Sequence, residues 1–463
     1  MGERQPTVSR FSFNRSILLA GTDEDLSSSA GLLLVRELDE RWRIIDRLAE
    51  MLVDDRCEGR IQWSMESLLR ARMFAITAGY SSQRDVALLK SDPVVCLTTS
   101  DRKGCSPLLE SAQPSQSTLA RMHRQLGCVE NRLALSNSVI DLAVHVIREA
   151  ANAGAGHHTI DIDAMPVPVH GEQPGSTWNG YYGERCYNPL MAVHGETGTM
   201  LAAELRPGTT PSAKEAIAFL MPIIARFERD LGCKVRVRGD SGFANRKLLD
   251  ALDERGTRYV FRMPSNSRLD KLAEPYLEPS SGPRPSELQE TLHSLEYSSR
   301  NWRTVRRIIL VVREEPGQLF RERFYLVTND WRSSPRTILE HYRQRGTSES
   351  RFGELKSRLE PKLSCTSTKG KREREEAWHA NGGTFQLYML ADGLLHALRW
   401  LAPAQLSSDG ESMPRLQRVQ RFLIDVAARV TRSARRMHVH IAETANAMWL
   451  PVLVRLSRLR PVT

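Results

Sequence analysis

Apolar residues recur at helical spacing from Leu32 to Leu52 (Val35, Leu38, Trp42, Ile45, Leu48), which predicts one amphipathic helix over that span. A second helix is expected from Met65 to Thr77, stopped near Gly79. A third should start after Ser82, with Asp85 three residues on as a capping acid. Thr, Ser, Gly and Pro dominate residues 98–116 and predict a loop. Ser117 or Thr118 then opens a helix, and a long one follows to about Ala151. Residues 1–30 carry few apolar positions and read as loose. The first 152 residues thus form an all-helical unit, suited to DNA binding or dimerisation. Its helix with Arg121, Arg124 and Gln125 could enter a DNA groove or be ordinary bundle surface; both readings stand.

Between Gly154 and Gly156 the period changes to that of strands. His158–Ala164 alternates polar and apolar, Tyr187–Val193 and Met200–Leu205 read as strands, and Gly195–Gly198 as the turn between the latter two. A helix after Pro211 runs to about Asp230, a strand covers Cys233–Asp240, and a helix over 245–255 leads to the strand Tyr259–Met263. This α/β unit spans 153–264. Residues 265–332 read as a β-rich insertion, with a Pro/Ser-rich lead and strands at Arg307–Arg313 and Arg323–Thr328. Helical spacing returns over 334–359 and again over 376–400, within a segment 333–406, before a basic C-terminal region, 407–463.

A length of 463 residues suits several domains, and 41% hydrophobic residues supply their cores. No run approaches the ~18 apolar residues of a membrane span, and no apolar stretch follows the N-terminus as a secretory signal would. Seven scattered cysteines, none in C-x2-C spacing, fit a reducing compartment; a cytoplasmic, nucleoid-associated protein is expected. The net charge of +10 points to a polyanionic partner. Residues 411–463 hold ten Arg and no Lys against three acids. Arg429, Arg432, Arg435 and Arg436 suit phosphate, or else form a solvated edge.

Candidate chemistry concentrates at residues 342–356, where Tyr342, Arg345, Glu349 and Lys356 follow Y-x2-R-x3-E-x6-K. On one helix these fall within an arc of about 60°. A carboxylate flanked by cations and a phenol suits a metal ion and a phosphodiester together; most charged helix faces, however, are only solvated surface. Two further acids change that balance. Asp161 and Asp163 share one face of a strand, with Ile160 and Ile162 on the other, and Asp240 ends a second strand. Taken singly, Asp240 reads as a turn or cap residue and Asp161 as a surface acid. Two strand acids and one helix acid together are the layout of a two-metal phosphoryl-transfer site, with ions about 3.5–4 Å apart.

In order along the chain stand Asp163 to Gly171 ending Pro-Val-His-Gly, Asn179 to Leu190, Leu205 to Gly208, Arg238 to Ala244, and the 342–356 face. This ordered set resembles the insertion-sequence DDE transposases of the branch with a YREK signature and a β insertion before the last acid. The resemblance covers nearly the whole chain. It implies an RNase H-like catalytic core interrupted by the β-rich insertion. It also implies Mg²⁺ (or Mn²⁺) held by Asp163, Asp240 and Glu349 as catalytic acids, and phosphate contacts from Tyr342, Arg345 and Lys356. The implied partner is double-stranded DNA, both transposon ends and target, cut and joined at inverted terminal repeats by a homodimer. Met165 stands where a Thr is common, a departure that leaves Asp161 as the alternative first acid. For Trp178, core packing is favoured over stacking on a displaced base. The competing functions are a metal-dependent nuclease without strand transfer, and a catalytically silent DNA-binding relative.

Overall fold

The computed structural model describes the chain except residues 1–8, 11, 15, 17, 20, 103–112, 151–155, 181, 278–285, 319–320, 360, 366–369, 408–412, 434–435 and 461–463. Most of the Pro/Ser-rich lead, much of the 98–116 loop, and Arg435 therefore lie outside the described residues.

The helical part holds α1 (Leu32–Trp42), α2 (Ile44–Met51), α3 (Met65–Thr77), α4 (Pro93–Thr99), α5 (Gln116–Gln125) and α6 (Val129–Glu149). The expected 32–52 helix is interrupted at Arg43, which takes a left-handed conformation (φ 50°). The break has a polar cause. Asp39 turns inward, accepts from the amide of Ile45 at 2.9 Å and pairs with buried Arg70, which also holds Asp46 and Asp101. After Ser82 there is only a single 3₁₀ turn, Asp85–Ala87, although Asp85 does accept from the amide of Ser82. The helix itself waits for Pro93, capped by Asp92.

The strands are β1 (Ser9–Arg10), β2 (Leu18–Leu19), β3 (Leu26–Ser27), β4 (His157–Ala164), β5 (Val167–Pro168), β6 (Thr177–Asn179), β7 (Glu184–Tyr187), β8 (Leu190–His194), β9 (Met200–Glu204), β10 (Lys234–Gly239) and β11 (Arg258–Met263). They continue with β12 (Gln289–Tyr297), β13 (Arg306–Glu314), β14 (Glu322–Thr328), β15 (Ala428–Ser433) and β16 (Arg436–Ile441). The expected strand over 187–193 is two, parted at Asn188 and Pro189, where proline cannot donate to a ladder. Eight strands form one mixed sheet in the order β12-β13-β14-β11-β10-β4-β8-β9. Within it β4, β10 and β11 are parallel and every other pairing is antiparallel. Residues 265–332 begin with helix Ser267–Leu277; of their three strands β14 pairs with β11, and β13 and β12 extend the same sheet outward from it.

Further helices are α7 (Ala216–Leu231), α8 (Arg246–Arg255), α9 (Ser267–Leu277), α10 (Pro335–Arg343), α11 (Arg345–Leu359), α12 (Lys371–Leu401), α13 (Leu416–Val419) and α14 (Glu443–Arg458). The single helix expected over 334–359 is two, meeting at Gln344.

Three apolar clusters hold these parts together. Ile160, Ile162, Val235, Val237, Ile308 and Leu310 cover one sheet face beneath α7 and α8. Ile309, Val311, Leu326 and Val260 face the other way and seat Ile338 and Leu339 of α10. Strand β13 is buried on both faces, which is why its sequence is a continuous apolar run rather than an alternation. The largest cluster joins α1–α6, α12 and the C-terminal elements, and α6 faces two ways: Leu135, Val139 and Leu142 into it, Ile140, Val144 and Ile147 into the sheet.

The N-terminal segment is not loose throughout. Leu26–Ser27 pairs with Ala428–Arg429, and Ser29 and Ala30 are buried. Gly31 lies so close to the C-terminal part that a Cβ would fall 1.8 Å from the carbonyl oxygen of Leu423. Among the described residues no helix is long and apolar enough to cross a membrane.

Candidate active site

Parallel pairing of β4 with β10 sets Ile162 opposite Gly239, so Asp163 and Asp240 emerge at neighbouring strand ends. Asp240 turns the chain by accepting from the amide of Gly242 at 2.9 Å and capping a 3₁₀ turn. Asp163 accepts from its following amide, Ala164, at 2.8 Å. These two acids, Glu349 and Arg345 line a cavity of about 390 Å³, with Met165, Tyr182, Asn188 and Ser212.

Arg345 organises the carboxylates. Its Nη2 donates to Asp163 at 2.6 Å and its Nη1 donates to Glu349 one helical turn on. The Asp163 carboxyl is pushed up to about 6. Burial is the main cause and Asp240 and Glu349 add repulsion, while Arg345 and the Ala164 amide pull the other way. Tyr342, at the end of α10, is raised by burial and packs against the apolar cluster that seats this helix. Because α10 and α11 meet at Gln344, Tyr342 lies on a different helix from Arg345 and Glu349, not on one continuous face. Lys356 belongs to α11, and its side chain lies outside the described residues.

Asp161 is elsewhere. Its two oxygens accept from Arg238 Nε at 2.6 Å and Nη2 at 2.7 Å, and both side chains are 1% exposed. Arg238 also donates to the carbonyl of His341, tying β4 and β10 to α10. Of the two strand acids, Asp163 faces the cavity.

The residues that hold α11 in place were not singled out from the sequence. Arg351 donates to the carbonyl of Gly198 at 3.0 Å and pairs with Asp392, which is fully buried on α12. Glu354 accepts from Arg399 at 2.9 Å and from the amide of Leu416 at 3.1 Å. A signal for the pair exists: Asp392 is a lone acid inside the apolar run of α12, and such an acid requires a buried cation.

Trp178 contradicts the expected core packing. It sits on the β6–β7 hairpin with 62% of its surface exposed, and Tyr182 on the turn of the same hairpin reaches the cavity. In the helical part, Arg56, Arg60, Arg121 and Arg124 line a second open cavity of about 630 Å³. In the C-terminal region Arg429, Arg432 and Arg436 are exposed on the β15–β16 hairpin, Arg429 beside Glu24 at 3.2 Å. Arg418 and Arg455 are instead spent on main-chain carbonyls.

Residues 9–461 match the family model described as transposase DDE domain group 1. Among solved structures the chain is similar to one titled as the cryo-EM structure of a piggyBac transposase synaptic complex with hairpin DNA. The identity is 13%, over 85% of this chain and 79% of that one, with a TM-score of 0.38. No curated protein matches. The family match runs through nearly all of the chain, the three cavity acids included, and on that ground the chain belongs to the group 1 transposase DDE domain family.

Proposed function

We propose that this chain is a DNA transposase that cuts and joins double-stranded DNA at the inverted terminal repeats of an insertion sequence, with Asp163, Asp240 and Glu349 as its catalytic acids. The observation that carries the reading is the convergence of these three acids, from two adjacent strand ends and one helix, on a single open cavity. The order β9-β8-β4-β10-β11, three antiparallel strands followed by two parallel ones, supports an RNase H-like core.

The donor set fits a divalent cation. Three carboxylates share the cavity, one of them driven towards its neutral form by burial and by its neighbours, and oxygen-only ligands suit Mg²⁺ or Mn²⁺. Bound there, such ions supply activation of the attacking oxygen and stabilisation of the leaving one. The chain's own residues do the rest. Arg345 bridges Asp163 and Glu349; turning its fork onto a phosphate oxygen frees both carboxylates. Tyr342 and Lys356 add a hydroxyl and a second cation for the same backbone. Positioning and charge neutralisation, rather than covalent chemistry, carry the reaction. Arg56, Arg60, Arg121 and Arg124, and the exposed arginines of the β15–β16 hairpin, would grip flanking DNA, and paired ends call for a homodimer.

The test is cleavage of labelled DNA carrying the element's flanking inverted repeats, with Mg²⁺ or Mn²⁺, comparing the protein with Asp240→Asn. Cleavage at the repeat ends and joined products from the unaltered protein alone are expected. Cleavage without joining, when pre-cut ends are also supplied, would favour a nuclease, and binding without cleavage by either protein a silent relative.

A further inference from the structure

At the end of the sheet remote from the cavity, three side chains converge. His158 stands near the start of β4, His194 ends β8, and Glu196 lies in the following turn. His158 Nδ1 is 2.9 Å from His194 Nε2, which is 2.8 Å from a Glu196 carboxylate oxygen, and the three atoms lie within 4.8 Å of one another. Both imidazoles are buried beneath the Phe227 ring, whereas Glu196 is about one-third exposed.

Protons alone satisfy this arrangement badly. His194 Nε2 has one site for a hydrogen and two partners. If the hydrogen points to Glu196, His158 Nδ1 faces a donor already used. If His158 Nδ1–H donates to His194 Nε2, the carboxylate faces a lone pair at 2.8 Å with no hydrogen between them. His158 has no other outlet, because its Nε2 is buried without a partner. A cation in place of the proton accepts all three lone pairs at once.

The surroundings suit that. His194 Nδ1 lies 2.7 Å from the hydroxyl of Thr197, an acceptor for its N–H that leaves Nε2 free to ligate, and the Thr159 amide donates to Glu196 at 3.0 Å. We propose that His158, His194 and Glu196 form a binding site for a zinc-class divalent ion, distinct from the carboxylate cavity, with a fourth position open to solvent beside Glu196. Two imidazoles and one carboxylate favour zinc over magnesium.

Its consequence lies in the turn it pins. The carbonyl of Gly198 accepts from Arg351 on α11 at 3.0 Å, and the carbonyl of Thr197 accepts from His396 on α12 at 2.9 Å. An ion fixing Glu196 and His194 therefore fixes the turn on which the helix of Glu349 rests.

The experiment is a Co²⁺ titration of the chelator-treated full chain, read by visible absorption. One equivalent giving the intense bands of four-coordinate cobalt, bleached by Zn²⁺ and untouched by excess Mg²⁺, is expected. The bands should persist in Asp163→Asn and vanish in His158→Gln and Glu196→Gln, while Thr197→Val weakens binding roughly 10–100-fold. No such bands from protein folded by circular dichroism, or bands unchanged in Glu196→Gln, would overturn the site. Glu196 is partly exposed, so that variant decides the matter even where His158→Gln does not fold.

Discussion

Asp161 and Arg238 form a bidentate ion pair closed off from solvent, each side chain 1% exposed, two residues up the strand from the acid that faces the cavity. Removing one partner of such a pair strands the other charge, a loss of about 3–5 kcal/mol. Asp161→Asn is therefore expected to lower the denaturation midpoint strongly. Asp163→Asn should leave the fold intact, because it removes a carboxylate that burial already disfavours, and should abolish DNA cleavage. Urea denaturation of the two variants checks this; equal loss of stability in both would mean that the two acids do not divide structure and chemistry as argued.

Acid sensitivity follows from two half-buried histidines. His145 and His341 are each lowered from 6.5 to about 4, first by burial and then by neighbouring arginines. Between those values the unfolded chain binds protons that the folded chain refuses. Stability is thus complete above pH 6.5 and is lost as pH falls towards 4, by at most about 3 kcal/mol for each histidine. Asp163 acts in the opposite sense, since its folded value of about 6 lies above the usual 3.8, whereas the fully buried His123 and His396, held well below 6.5 by burial, act in the same sense as His145 and His341. Melting temperatures of metal-free protein across this window should fall with acid, and less steeply in His341→Gln. An unchanged slope in that variant would remove His341 from the account.

The periodic parts of the chain were legible. Met65–Thr77 is a helix with the predicted bounds, and Ile160 and Ile162 face the core opposite Asp161 and Asp163 because strand alternation admits little else. What failed is what depends on distant partners. No local pattern around Arg43 reveals that Asp39 will turn inward to Arg70, so the break in the first helix is invisible. Residues 26–30 look loose because their partners, Val426 to Arg429, lie some four hundred positions away in the chain. At the cavity the three acids could be proposed from spacing and resemblance. The bridging of two of them by Arg345 could not, nor could the Arg351–Asp392 anchor, since both are facts of packing.

The four arginines around the larger cavity make a separate prediction. Phosphate contacts release counterions, so each one adds about one unit to the slope of log affinity against log salt. Arg121 and Arg124 are exposed on α5 and face this cavity. Replacing both with Ala should reduce the slope by roughly two and weaken binding of repeat and unrelated DNA alike. Filter binding or fluorescence anisotropy across a salt series measures it. An unaltered slope would mark this surface as plain solvated bundle.

Arg351 and Asp392 support a prediction about catalysis at a distance. Asp392 is fully buried on α12, and its pairing with Arg351, together with the bond from Arg351 to the carbonyl of Gly198, sets where α11 lies against the sheet. Glu349 rides half a turn before Arg351 with 59% of its side chain exposed; once the fork of Arg345 turns from Glu349 to a phosphate, the seating of α11, to which this anchor contributes, fixes its place relative to Asp163. Arg351→Lys keeps the charge but lacks the planar fork that reaches a carboxylate and a carbonyl together. That variant should therefore still bind DNA as well as the unaltered protein yet cleave roughly 100-fold more slowly, the scale expected of an approximately 1 Å misplacement. Single-turnover cleavage beside equilibrium binding separates the two effects. A variant that loses binding and cleavage in equal measure would show that the pair holds the fold as a whole, not the placement of Glu349.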